Sequence, residues 1–260
     1  VVRVAACQLD TRQGRVQENV DLALQVAARA AAAGARYLLC HENMVHEYPP
    51  DAPGLAEPVP GPVTDRFAAF CARHQVNLAF GMTVRAQPRP LNAAVFITAG
   101  GEVAAVYAKR SLVGRAGYQG YLAPLEGRQV NMDAFPWLLE DQVFQAGSQH
   151  LVLDWNGLRA GALICADTGR DDYWQAIRDL GAAVLFCPFN NPGIRLYHPR
   201  LLNQVRQWGL HFVGANRAGS YPMDLPGRGQ SLIAGPDGQV LADAGAGVNT
   251  FISADLPLGA

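Results

Sequence analysis

The chain has 260 residues, half of them hydrophobic and 17% charged, with a formal net charge of −1. That profile fits an ordinary globular protein with a large core, and the near-neutral balance argues against nucleic acid or an anionic membrane as partner. No apolar run reaches the roughly 18 residues of a membrane span, no basic-then-apolar leader precedes the strand from Arg3 to Leu9, and the five cysteines are widely spaced, four of them in apolar segments; a reducing compartment, the cytoplasm by default, is expected.

Taken in chain order, Val2 to Cys7 predicts a short apolar strand. Val16, Val20, Ala23, Leu24, Ala27 and Ala31 recur at helical spacing, which predicts a helix over 16–33 stopped by Gly34. Tyr37 to Cys40 reads as a brief buried strand leading into His41 and Glu42. A Pro- and Gly-rich stretch (49–62) precedes a helix over 63–75 and a strand over 77–85. Residues 91–99 and 102–109 form a predicted hairpin that turns at Ala99-Gly100-Gly101. Residues 112–147 are the least regular, and an irregular stretch of that length is more often functional than idle. Strands are then expected at 150–155 and 158–166, a helix at 171–180, a strand at 182–188, and a helix near 199–208. Four strands follow, at 211–216, 231–235, 239–243 and 250–255. No linker divides the chain, so residues 1–260 read as one domain, weakly twofold, with many strands and four helices in an α/β layered arrangement.

Residues 161–167, Gly161 to Asp167, carry an apolar run that breaks off at Cys165, a small residue and an acid. A lone cysteine is usually a buried small hydrophobe, and Cys7, Cys40, Cys71 and Cys187 are read that way. Glu42 and Lys109 each end a similar apolar segment, and a thiol needs a base or a nearby cation to become a nucleophile. The three together suggest acyl chemistry on a cysteine. His41 to His46 superficially suggests a zinc motif, but the histidines are five apart and Pro49 and Pro50 disfavour a helix, so no metal site is expected.

Five segments in order resemble the nitrilase, or carbon–nitrogen hydrolase, superfamily over essentially the whole chain. They are Leu38 to Glu42 with Tyr48; Val106 to Lys109; Glu140, Phe144 and Gly147; Gly161 to Asp167 with Gly181, Ala182 and Pro188; and Asn216 with Gly229-Gln230-Ser231. The resemblance implies a four-layer αββα sandwich that commonly pairs into homodimers or larger assemblies. It implies a cofactor-free hydrolase of a small amide, ω-amide or N-carbamoyl compound. By resemblance, Glu42 is the base, Cys165 the nucleophile and Lys109 the oxyanion donor, joined by the backbone N–H of Ala166, with Glu140 in support. Substrate selectivity is expected from residues 112–140, from Tyr48 and Phe144, and from Phe189, Asn190 and Asn191 after the following strand.

The chain departs from the family pattern at two places. His41 stands where proline usually precedes the glutamate, and Thr168 to Asp172 replace the usual aromatic-proline-glutamate segment. Arg170 therefore has two readings: a bidentate partner for a substrate carboxylate, or an ion pair with Asp171 or Asp172 at a helix start. Ala166 and Asp167, in place of Trp-Glu, disfavour nitrile hydrolysis. A non-catalytic protein that keeps the fold is the alternative from another class, and an acyltransferase is a more distant one.

Overall fold

The computed structural model describes residues 1–122, 131–191, 199–221 and 225–258. The first sheet contains β1 (Val2–Gln8), β2 (Tyr37–Leu39), β3 (Asn77–Val84), β4 (Leu91–Ile97) and β5 (Val103–Ala108). The second contains β6 (Leu151–Trp155), β7 (Leu158–Ala162), β8 (Val184–Pro188) and β9 (His211–Ala215). After a small ribbon of β10 (Ala218–Tyr221) and β11 (Leu225–Arg228), the chain adds β12 (Leu232–Ala234) and β13 (Val240–Asp243) to the second sheet. It closes with β14 (Thr250–Leu256), which returns to the first sheet antiparallel to β1. The strand orders are β14-β1-β2-β3-β4-β5 and β13-β12-β9-β8-β7-β6. Each sheet has a parallel centre, β1-β2-β3 in one and β7-β8-β9 in the other, flanked by antiparallel strands. The weak twofold character of the sequence is this repeated arrangement.

Side-chain alternation along the strands sets the layers. Val4, Ala6, Tyr37, Leu39, Ala94 and Phe96 point to the second sheet, whereas Ala5, Cys7, Leu38, Phe80 and Val95 point to helices α1 (Val16–Ala32) and α3 (Pro62–His74). A one-turn helix, α2 (Ala52–Leu55), lies in the Pro-rich stretch between them. Trp155 sits between the sheets, edge-on to Tyr37, Phe96 and Phe186, with its Nε1–H donated to the Ile97 carbonyl. Truncating such a side chain typically costs about 3–5 kcal/mol. The outer face of the second sheet is covered by α6 (Asp171–Asp179) and α7 (Pro199–Trp208), through Trp174, Ile177, Leu201 and Val205. Close approach there requires Gly161, where a Cβ would lie 2.5 Å from Ile177 Cγ2. The result is the α-β-β-α layering expected.

The irregular stretch holds a small core of its own. Helices α4 (Arg115–Leu122) and α5 (Glu140–Val143) and two 3₁₀ turns (132–134 and 136–138) gather Val113, Tyr118, Met132, Leu138 and Phe144 around Tyr48. No apolar periodicity announced these elements, because each is too short to show a repeat. Residues 123–130, part of the stretch expected to set selectivity, lie outside the described residues.

Candidate active site

Glu42, Cys165 and Asn190 come from the segments just beyond the parallel strands β2, β7 and β8, as is usual for open α/β sheets, and Lys109 and Glu140 reach the same cleft from beyond β5 and from α5. Glu42 lies in the loop after β2. That loop is laid across β3: Gly81 donates its N–H to the His41 carbonyl, its own carbonyl accepts from Val45, and a Cβ on Gly81 would sit 2.2 Å from the Asn43 nitrogen. The Glu42 N–H reaches across to the Phe189 carbonyl at 3.2 Å, tying the loop to the second sheet. Lys109 follows β5, and its N–H is held by the Asn92 carbonyl at 2.8 Å. Its carbonyl accepts from Gly147, where a Cβ would collide with the Ala108 carbonyl at 2.3 Å.

Cys165 is not the end of a strand. β7 stops at Ala162, and Cys165 opens a 3₁₀ turn (Cys165–Gly169) with φ +47°, in the left-handed region that a side chain rarely adopts. Such a conformation costs on the order of 1–3 kcal/mol and persists where the surroundings over-determine it. Here buried Asp167 does so. One oxygen accepts from the Ile164 N–H and the Tyr107 hydroxyl, the other from the N–H groups of Arg110 and Ser111. The same carboxylate therefore shapes the cysteine turn and anchors the segment after Lys109.

The side chains then converge. The Lys109 ammonium, 1% exposed, donates to Glu42 Oε1 at 2.6 Å and to Glu140 Oε1 at 2.7 Å. Glu140, at the start of α5, accepts the Tyr48 hydroxyl at 2.9 Å on Oε1 and the Val113 N–H at 2.7 Å on Oε2. The Asn92 amide donates to Glu42 Oε1 at 2.8 Å and contacts the Tyr48 hydroxyl and Glu140 Oε1, each at 3.1 Å. Glu42, Lys109, Glu140, Tyr48 and Cys165 line one cleft of about 300 Å³, open mouth included, together with Val113, Tyr118, Asn190 and Asn191. The Cys165 thiol donates to Asn191 Oδ1 at 3.1 Å, and the Asn191 N–H is in turn fixed by Asn216 Oδ1 at 3.0 Å.

Electrostatics follow from burial and from two acids sharing one base. Burial opposes the Lys109 ammonium, but Glu140 and Glu42 outweigh it and hold the proton well above the usual lysine range. Burial raises the Glu140 carboxyl, Lys109 pulls it back, and the charge of Glu42 adds to the rise. Burial first, then Glu42, push the Cys165 thiol well above its ordinary value against a partial offset from Lys109. These surroundings favour the neutral thiol at Cys165 over the thiolate.

Other residues singled out from the sequence take different places. Ala166 packs beside the small core around Tyr48 and Phe144. Phe144 is fully buried and stacks edge-on beneath Tyr48, and Phe189 packs on Phe212; neither lines the cleft. Asn190 does, donating to the Glu42 carbonyl at 3.1 Å and to Glu47 Oε2 at 2.8 Å. Arg170 is 57% exposed, forks onto Asp172 at 3.0 Å through two nitrogens, and is absent from the cleft lining: the ion-pair reading describes its place. His41 contacts Glu47 and Thr11, each at 2.9 Å, while His46 accepts the Thr83 N–H. The two histidines share no ligand point, and among the described residues no cluster of three or more His, Cys, Asp or Glu is disposed to hold a metal. Val113, Tyr118 and Asn191 fall in the segments from which selectivity was expected, whereas Asn92 was not anticipated. A single asparagine inside the otherwise apolar run from Leu91 to Ile97 was the one signal available, because a polar side chain in a fully buried strand calls for a partner.

The family model for carbon–nitrogen hydrolases matches residues 3–260. The chain belongs to the carbon–nitrogen hydrolase family. Among relatives of this hydrolase, an (R)-stereoselective amidase from Pseudomonas sp. is 24% identical over 248 residues, covering 94% of this chain and 81% of the relative. Omega-amidase YafV from Escherichia coli (strain K12) is 29% identical over 119 residues, about half of either chain (45% and 46%). An amidase from Nesterenkonia sp. AN1 superposes with a TM-score of 0.82 at 24% identity over 98% of this chain and 90% of that one, which establishes the nitrilase-type fold. A second structure of that amidase carries acrylamide joined by Michael addition to its active-site cysteine.

Proposed function

We propose that this hydrolase cleaves the C–N bond of a small amide, ω-amide or N-carbamoyl compound through a thioester on Cys165. The observation that carries the proposal is the buried Lys109 ammonium held between Glu42 and Glu140 in the cleft that also contains the Cys165 thiol. In the first step the S–H bond breaks, Glu42 takes the proton, and sulfur bonds to the substrate carbonyl carbon. The carbonyl oxygen gains charge as this happens. Lys109, fixed in place and barely hydrated, supplies a cation that needs no reorganisation, and the Ala166 N–H is the second donor. Glu42 then gives its proton to the departing nitrogen as the C–N bond breaks. Water enters, Glu42 takes one of its protons, and oxygen displaces sulfur, which recovers a proton as the acid leaves.

The upward shift of the Cys165 thiol fits this sequence, because a thiol that resists ionisation requires a base during attack. The amidase activities of the relatives, and the covalent chemistry of the Nesterenkonia amidase at its cysteine, support the same bond class here. Neutral short amides are favoured by the described lining, in which Lys109 is already shared by two carboxylates. Ammonia release screened over aliphatic amides, ω-amides and N-carbamoyl amino acids tests the proposal. Cys165→Ala is expected to abolish release from every substrate found while circular dichroism stays unchanged; retained turnover overturns the assignment.

A further inference from the structure

Asn92 touches both carboxylates and the tyrosine hydroxyl of the buried cluster. Its side chain donates to Glu42 Oε1 and contacts Glu140 Oε1 and the Tyr48 hydroxyl, and its main-chain carbonyl holds the Lys109 N–H. It sits on β4 opposite Thr83, at the end where β2, β3 and β5 deliver their side chains. Its own Oδ1 is buried and has no hydrogen-bond partner among the described residues. The orientation of the amide is nonetheless determined, because turning it over would aim Oδ1 at two carboxylate oxygens. An arrangement that leaves a carbonyl unpaired in the interior is kept for what the NH₂ group does.

We infer that Asn92 is a positioning residue for the hydrolysis: with Lys109 it occupies Oε1 of Glu42, so that Oε2 is the oxygen that takes the proton from the Cys165 thiol. Oε1 receives donors at 2.6 and 2.8 Å, whereas nothing among the described residues donates to Oε2. A carboxylate held by a single donor could rotate and present either oxygen. Held by two donors from different strands it cannot, and its free lone pairs are directed into the cleft. Asn92 also stands as a neutral donor between two acids that share one ammonium, easing the repulsion between Glu42 and Glu140. The charged and titratable groups around it are Glu42 from the loop after β2, Tyr48 beyond it, Lys109 from the end of β5, Glu140 from α5 and Cys165 from the turn after β7.

This inference rests on the proposed Glu42-assisted attack, and its test separates the two. Asn92→Leu removes the donors at similar volume, and Asn92→Ser restores one. The full chain is assayed by ammonia release from a short primary amide such as propionamide, across pH 5–9. For Asn92→Leu, kcat is expected to fall about 10- to 100-fold with KM within about threefold, the loss of one bond to a charged group. The acid limb of kcat/KM moves to higher pH, because carboxylates deprived of a donor hold protons more tightly. Asn92→Ser recovers part of both effects. A folded Asn92→Leu protein with unchanged kcat, or one whose loss lies wholly in KM, overturns the inference. So does an Asn92→Ser protein no better than Asn92→Leu with its acid limb unmoved. If Asn92→Leu does not fold, the position of the acid limb in Asn92→Ser decides alone. Turnover surviving in Cys165→Ala would instead strike the underlying mechanism.

Discussion

Gly81 offers a direct test of whether the placement of Glu42 depends on backbone contact between β3 and the loop that carries it. A methyl group added there would lie 2.2 Å from the Asn43 nitrogen, 2.6 Å from the His41 carbonyl oxygen and 2.7 Å from the Glu42 carbonyl carbon. All three are main-chain atoms, so no side chain can swing aside. Starting from 2.2 Å, the loop must retreat about 0.8 Å to reach the 3.0 Å below which such contacts essentially never occur. A shift of that size weakens the 2.6 Å contact between Glu42 and Lys109 and loosens the two main-chain bonds that Gly81 makes to the loop. Overpacking of this kind costs about 1–3 kcal/mol of stability, and misplacing a reacting group by about 1 Å costs on the order of 100-fold in rate. The expected outcome for Gly81→Ala is a fall of roughly 100-fold in kcat/KM for ammonia release and a drop of several degrees in Tm, about 2–4 °C per kcal/mol at this size. Gly100→Ala is the control, since its new methyl would meet only Thr98 Oγ1 at an ordinary 3.6 Å. Gly81→Ala activity within about threefold of the parent would show that the loop tolerates the displacement and that the contact argument is wrong.

Two further outcomes are expected. Arg170→Ala should leave the Tm essentially unchanged and KM for any amide or carboxylate-bearing amide within about twofold, because an exposed ion pair contributes little; a tenfold rise in KM would place Arg170 at the substrate. His46 is held down to about pKa 4, chiefly by burial, with a smaller opposing contribution from the Leu55 main chain. Its unfolded value is near 6.5, so the unfolded chain binds the proton first. The stability associated with neutral His46 is therefore complete above about pH 6.5 and is lost as pH falls toward 4, roughly 3 kcal/mol in all. Urea melts at pH 7 and pH 4.5 should show that loss in the parent and a smaller one in His46→Asn; equal losses would refute the assignment.

Much of the fold was legible from one dimension because its long elements bury one face each. The helix ending near Gly34, the hairpin turning at Gly100 and Gly101, and the strands around Cys187 and Val213 lie within a few residues of where apolar periodicity puts them. The short helices between Arg115 and Val143 were illegible for the converse reason: they are held by contacts to Tyr48 and Phe144 and carry no repeat of their own. The strand expected to run to Ala166 stops at Ala162, because Asp167 draws the chain into a turn through hydrogen bonds from Ile164, Tyr107, Arg110 and Ser111. Glu42, Lys109 and Cys165 stood out as an acid, an amine and a sulfur at the ends of apolar runs, whereas Glu140 was singled out only through the order of motifs that the chain shares with the family.

Sequence alone determined the layers and the family, because hydrophobic period and motif order are properties of the chain. Only the tertiary structure decided that one ammonium is shared by two acids, that Asn92 bridges them, and that Arg170 turns outward to Asp172. The first two depend on distances between segments separated by tens of residues, and the third is a choice between two partners that the local sequence left open; a charge acquires its meaning from whatever the fold brings within a few ångströms of it.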